Sequence, residues 1–93
     1  MRAMTMDDII SFVIRKIFDG AYDAQEAIHK MWFAGQLTFD QHGKICHDID
    51  RMSHAAVEKI MHCNTPQEIE EVMQEFKTEF DQWAAKTEMQ FDF

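Results

Sequence analysis

Three side chains spaced like the rungs of a ligand ladder are the first place in this sequence where chemistry could occur. His54, Glu58 and His62 recur at intervals of four, with His47 close by. Residues four apart share a helix face, and zinc and copper both accept imidazole and carboxylate ligands. Convergence is the difficulty. Residues eight apart on a straight helix sit about 12 Å from each other, so only one neighbouring pair could serve a single ion. The spacing also matches neither His-Glu-x-x-His nor the Glu-x-x-His of di-iron bundles. His54, Glu58 and His62 are therefore expected to form a solvated polar flank. A histidine-based metal-binding bundle stays open as an alternative, and no cofactor is expected. The abundant methionines do not change this, because Met31, Met52 and Met73 fall on apolar stripes where Met fills gaps.

Nucleophilic catalysis finds little to work with. Cys63 lies on an apolar stripe near a helix C-terminus, where the dipole disfavours a thiolate. Cys46 adjoins His47, but adjacent residues on a helix do not face one another. Two cysteines make no disulfide framework, and on one straight helix they would stand roughly 25 Å apart. No glycine-rich phosphate loop is present. The chain is read as non-enzymatic, with reduced thiols and a cytoplasmic location.

A row of carboxylates is more suggestive. Glu68, Glu71, Glu75 and Glu79 recur at helical spacing opposite a Phe/Trp face. Such a row is either an ordinary solvated surface or a docking strip for a basic protein, with strongly salt-dependent association. Beyond it, Phe91 and Phe93 place two aromatics in the last three residues. They are expected either to pack back on the fold or to enter a partner.

The charge balance sharpens the choice of partner. Of 93 residues, 17 are acidic and 9 basic, a net charge of −8, and residues 64–93 alone contribute eight acids against two bases. Such a surface repels phosphate backbones and anionic membranes, so direct nucleic-acid binding is not expected. A helix-turn-helix around Gly35 fails on the same ground. No signal peptide or membrane span is visible.

These groups need a scaffold, and its outline is written in the caps. Thr5 with Asp8, Asp23 with Glu26, Thr38 with Gln41 and Thr65 with Glu68 each have capping-box spacing, and Pro66 suits a first helical turn. Gly20, Gly35 and Asn64 supply stops. Helices are expected at 6–18, 24–34, 39–63 and 66–89, the first two being one helix if Gly20 merely interrupts it. Their stripes include Ile10, Val13, Ile14 and Ile17; Ala24, Ala27, Ile28, Met31 and Trp32; Ile45, Ile49, Met52, Ala56, Ile60 and Cys63; and Ile69, Val72, Met73, Phe76, Phe80 and Trp83. The expected fold is a single all-α domain, a small four-helix bundle with two short helices packed on a long antiparallel helical hairpin. A homodimer is possible where apolar side chains stay uncovered.

Residues 65–89, opening Thr65-Pro66-Gln67-Glu68-Ile69 and running through Phe76, Phe80 and Trp83 to Met89, resemble the C-terminal helix of phasins, small helical proteins that coat polyhydroxyalkanoate granules. That resemblance implies an amphipathic coat whose Phe76/Phe80/Trp83 face meets a hydrophobic particle. The leading expectation from the residues themselves is a different one. Small size, strong negative charge and the lack of a catalytic constellation fit a protein-binding module, an inhibitor of the phage-encoded anti-defence or nucleic-acid-mimic kind. It would dock a basic surface of a larger protein through Glu68, Glu71, Glu75 and Glu79, with Phe91 and Phe93 as possible anchors.

Overall fold

The computed structural model describes residues 3–87. They form three α-helices: α1 (Met6–Phe33), α2 (Phe39–Met61) and α3 (Pro66–Lys86). No strand occurs among the described residues.

Helix α1 opens on a reciprocal cap. The Thr5 hydroxyl accepts from the Asp8 N–H at 3.2 Å, and the Asp8 carboxylate accepts from the Thr5 N–H at 3.1 Å. The helix then passes unbroken through Gly20, so the two short helices expected at 6–18 and 24–34 are one. The reason lies in phase. Ile10, Val13, Ile14, Ile17, Ala21, Ala24, Ile28 and Met31 hold a three-four rhythm straight across Gly20. Burying Ile17 and Ile28 outweighs the cost of one helical glycine, about 1 kcal/mol. Asp23 and Glu26 start nothing: both are exposed within α1, and Glu26 instead lies 3.9 Å from Lys30 one turn on.

The end of α1 is set by Gly35, whose φ of 78° is left-handed. The Gln36 N–H reaches back to the Met31 carbonyl at 2.9 Å and the Gly35 N–H to Trp32 at 3.0 Å, the paired bonds of a Schellman motif. Two residues later Thr38 caps α2. Its hydroxyl accepts from the Gln41 N–H at 3.1 Å, and the Gln41 side chain accepts from the Thr38 N–H at 2.9 Å. At α3 the Thr65 hydroxyl accepts from the Glu68 N–H at 3.2 Å, ahead of Pro66. The α3 helix stops at Lys86, where the Thr87 N–H and hydroxyl both bond the Trp83 carbonyl.

The four-helix bundle built on a long hairpin is thus corrected to three helices. The most extensive interface joins α1 to α2, while α3 lies chiefly against α2 and touches α1 little. Contacts along the seams fix the directions. Phe18 meets His54, Gln25 meets Asp50 and His29 meets His42, so α1 and α2 are antiparallel. Trp83 donates to Asp48 at 3.0 Å and Glu75 pairs with Lys59, so α3 runs antiparallel to α2. The core is α2's stripe, with Ile45, Ile49, Met52, Ala56 and Ile60 all buried, clasped by Ile17, Ala21, Ala24 and Ile28 on one side and Ile69, Phe76 and Phe80 on the other. The product is elongated, with extents of 50 × 25 × 18 Å.

Two glycines separate backbone requirement from mere presence. Gly35→Ala should destabilise the fold by about 1–2 kcal/mol, the cost of a left-handed conformation with a Cβ. Gly43 is exposed within α2, and a Cβ there would meet nothing within 4 Å. Gly43→Ala should stabilise by about 0.5–1 kcal/mol. Urea denaturation of both variants checks the opposite signs.

Candidate functional site

Chemistry-bearing side chains gather where α1 ends and α2 begins, rather than along the flank of α2. His29 on α1 and His42 on α2 lie at equal chain distance from the turn at Gly35 and Gln36, so the antiparallel pairing sets them face to face. Their Nδ1 and Nε2 atoms are 2.5 Å apart, a hydrogen bond in which one ring donates and the other accepts. Cys46 follows His42 by one helical turn on the same face. The His29 nitrogen, the His42 nitrogen and the Cys46 sulfur all lie within 4.8 Å of one another. His29 is exposed, and His42 and Cys46 are half-buried.

The surroundings hold these groups in place. Trp32 stacks on His42 with ring centroids 4.6 Å apart and an interplanar angle of 27°. On the other side, the Gln25 amide donates to the Cys46 carbonyl at 3.3 Å and to the Asp50 carboxylate at 2.7 Å, locking the register of α1 on α2. Phe33 and Phe39 flank Trp32 and remain 81% and 71% exposed. Burial, with the Asp50 carboxylate adding to it, pushes the Cys46 thiol above its ordinary pKa.

The flank singled out by spacing does not assemble. His54 is exposed and packs edge-on against Phe18 at 5.6 Å, Glu58 is exposed, and His62 is the exposed C-cap of α2. Among the described residues, the candidate cation-binding group is His29, His42 and Cys46, not His54, Glu58 and His62. The signal available in the sequence was the interval of four between His42 and Cys46. Pairing it with His29 required knowing that 24–34 and 39–63 pack directly against each other.

The carboxylate row divides by role. Glu68 is half-buried and accepts the Thr65 hydroxyl at 3.2 Å, so it serves the start of α3. Glu75 lies 3.5 Å from Lys59, and Glu79 lies 4.0 Å from Arg51, both across the α2–α3 seam. Glu71 is exposed and borders a shallow groove with Gln67, Glu70, Gln74 and Glu75. Phe91 and Phe93 lie outside the described residues.

Cys63 sits apart from all of these. It is buried, and its thiol donates to the Lys59 carbonyl at 3.3 Å. Burial and then the Glu68 and Glu71 carboxylates push its pKa up. A raised pKa lowers the thiolate fraction at any given pH, and the thiolate is the reactive form. Both cysteines of the folded chain should therefore alkylate with iodoacetamide at pH 8 more slowly than in urea, and Cys63 more slowly than Cys46. Peptide mapping over a time course reads both rates.

No helix among the described residues is long and apolar enough to cross a membrane. No family model matches the chain, and no curated protein or solved structure matches it either.

Proposed function

We propose that this chain is a non-enzymatic protein-binding module that docks a basic surface of a larger protein and thereby blocks it. The observation that carries this reading is the outward face of α3. Gln67, Glu70, Glu71, Gln74 and Glu75 stand side by side around a shallow groove, all exposed, with no basic side chain among them. Carboxylates and amides so arranged present acceptors to incoming Lys and Arg side chains.

The intramolecular ion pairs do not stand in the way. Lys59 and Glu75 are more than half exposed, and such surface pairs contribute only about 0–1 kcal/mol. A partner's arginine can displace Lys59 at little cost. The net charge of −8 adds long-range attraction toward a basic protein and repulsion from nucleic acid. The strip is centred here on Glu70, Glu71 and Glu75, which line the groove, since Glu68 serves the start of α3 and Glu79 lies outside the groove. An amphipathic coat of the phasin kind would need Phe76 and Phe80 exposed, and both are buried, so α3 would first have to leave the bundle.

The test is affinity capture from an extract of the cells that make the protein. The wild-type chain should retain a basic protein that elutes as salt rises toward about 0.5 M, where the Debye length falls to a few ångströms. The double variant Glu70→Lys/Glu71→Lys should lose it, whereas Glu58→Lys on α2 should keep it. Equal retention by the α3 variant would dismiss the acidic strip.

A further inference from the structure

The seam between α1 and α2 has two sides near the turn. Buried aliphatics, Ile17, Ala21, Ala24 and Ile28 against Ile45, Ile49, Met52 and Ala56, run along its core. Beside them at the head lie Gln25, His29, His42 and Cys46. Two imidazoles and a thiol converging from two helices are not required by helix packing. They are, however, a familiar donor set for a borderline metal ion.

We propose that His29 Nδ1, His42 Nε2 and Cys46 Sγ bind one zinc(II) ion per chain, leaving a fourth position open to solvent. This assignment is independent of the acidic strip on α3 and uses different residues. The reach is right. Tetrahedral zinc with bonds of about 2.0–2.1 Å to nitrogen and 2.3 Å to sulfur sets its ligand atoms about 3.3–3.6 Å apart. Here the two nitrogens are 2.5 Å apart and all three donor atoms lie within 4.8 Å. The rings need to part by less than about 1 Å, and the sulfur needs to close by a similar amount, within the range of side-chain rotation.

The support is built in as well. His42 and Cys46 are one turn apart on α2, so their spacing is rigid. Trp32 stacked on His42 restrains the ring plane, and Gln25 ties α1 to the Cys46 carbonyl. Sites carried on packed helices hold their ligands better than sites on loops. The ligand set argues for zinc over harder ions: thiolate and imidazole suit zinc and copper, whereas magnesium and calcium require oxygen. On binding, the cysteine S–H releases its proton to solvent, and the sulfur donates as thiolate with no change in oxidation state. An ion there would staple α1 to α2 beside the turn.

The test uses the untagged full chain with reduced thiols. Zinc(II) titration by calorimetry should give one ion per chain at micromolar concentrations and a higher Tm. Cobalt(II), as the spectroscopic probe, should show a near-ultraviolet thiolate-to-metal band together with strong visible bands of tetrahedral coordination. His29→Gln, His42→Gln and Cys46→Ser should each weaken zinc binding by about tenfold or more, a loss of about 1.4 kcal/mol, and Cys46→Ser should abolish the charge-transfer band. Circular dichroism checks that each variant folds; His29, being exposed, is the substitution least able to disturb the bundle. The double variant His54→Gln/His62→Gln should bind as wild type. The proposal is overturned by any of three results: no zinc binding at micromolar concentrations, binding unaffected by His29→Gln and Cys46→Ser, or one ion shared between two chains.

Discussion

The α1–α2 seam is the constraint on which the rest of the molecule hangs. Ile17, Ala21, Ala24 and Ile28 of α1 meet an α2 stripe in which Ile49 and Ile60 are wholly buried. Alanines at two of the four α1 positions allow the helix axes to approach, and the isoleucines on either side fill the remaining space. The Gly35 Schellman turn and the Thr38 box then set where one helix stops and the next begins. Together they determine the register, and the register alone brings His29 opposite His42 and Gln25 opposite Asp50. Helix α3 is an addition to this pair. It rests on α2 through Ile69, Phe76 and Phe80 and is pinned at its far end by Trp83 donating to Asp48.

Local signals in the sequence carried most of this fold. Two of the four capping boxes form in full, Thr65 caps α3 without the reciprocal bond from Glu68 to its backbone, and every residue of the 39–63 stripe is buried, from Ile45 to Cys63. At Gly20 a local stop signal yields to the periodic pattern that runs through it. A glycine and an Asp-x-x-Glu spacing are short-range cues worth about 1 kcal/mol, whereas the uninterrupted rhythm from Ile10 to Met31 commits several buried side chains. The site was less legible for a related reason. His54, Glu58 and His62 advertise themselves by spacing on one helix, but a ligand set usually draws on two elements, and spacing within one says nothing about what comes from the other. His29 acquires meaning only after α1 is known to be continuous and folded back on α2.

Electrostatics tell a similar story about position and number. Residues 66–86 are strongly acidic, yet their carboxylates do different work. Glu68 steadies the start of α3, Glu75 and Glu79 lean toward Lys59 and Arg51 across the seam, and Glu70 and Glu71 face outward. A helical row of four glutamates in sequence is therefore not a row of four equivalent charges in space. The seam ion pairs are too exposed to contribute much stability; burial of Ile69, Phe76 and Phe80 sets which face of α3 meets water.

The composition of the helical head still needs a physical reason. A flank built only for stability could be aliphatic too, since replacing both partners of a polar pair with well-packed apolar groups can be neutral or favourable. Here Ile28, Met31 and Ile45 carry the aliphatic packing to the turn, and the flank beside them holds two histidines, a cysteine and a glutamine, with Trp32 laid over one imidazole. No buried side-chain nitrogen or oxygen among the described residues lacks a partner, and within the cluster the two imidazoles pair with each other. The hydrogen bond between His29 and His42 satisfies one nitrogen on each ring, and any apolar pair could have closed the same gap without it. What an apolar pair could not do is bring two imidazole nitrogens and a sulfur within 4.8 Å of one another. Convergence of that kind, from two helices onto one flank, is what distinguishes this end of the bundle from the aliphatic core beside it.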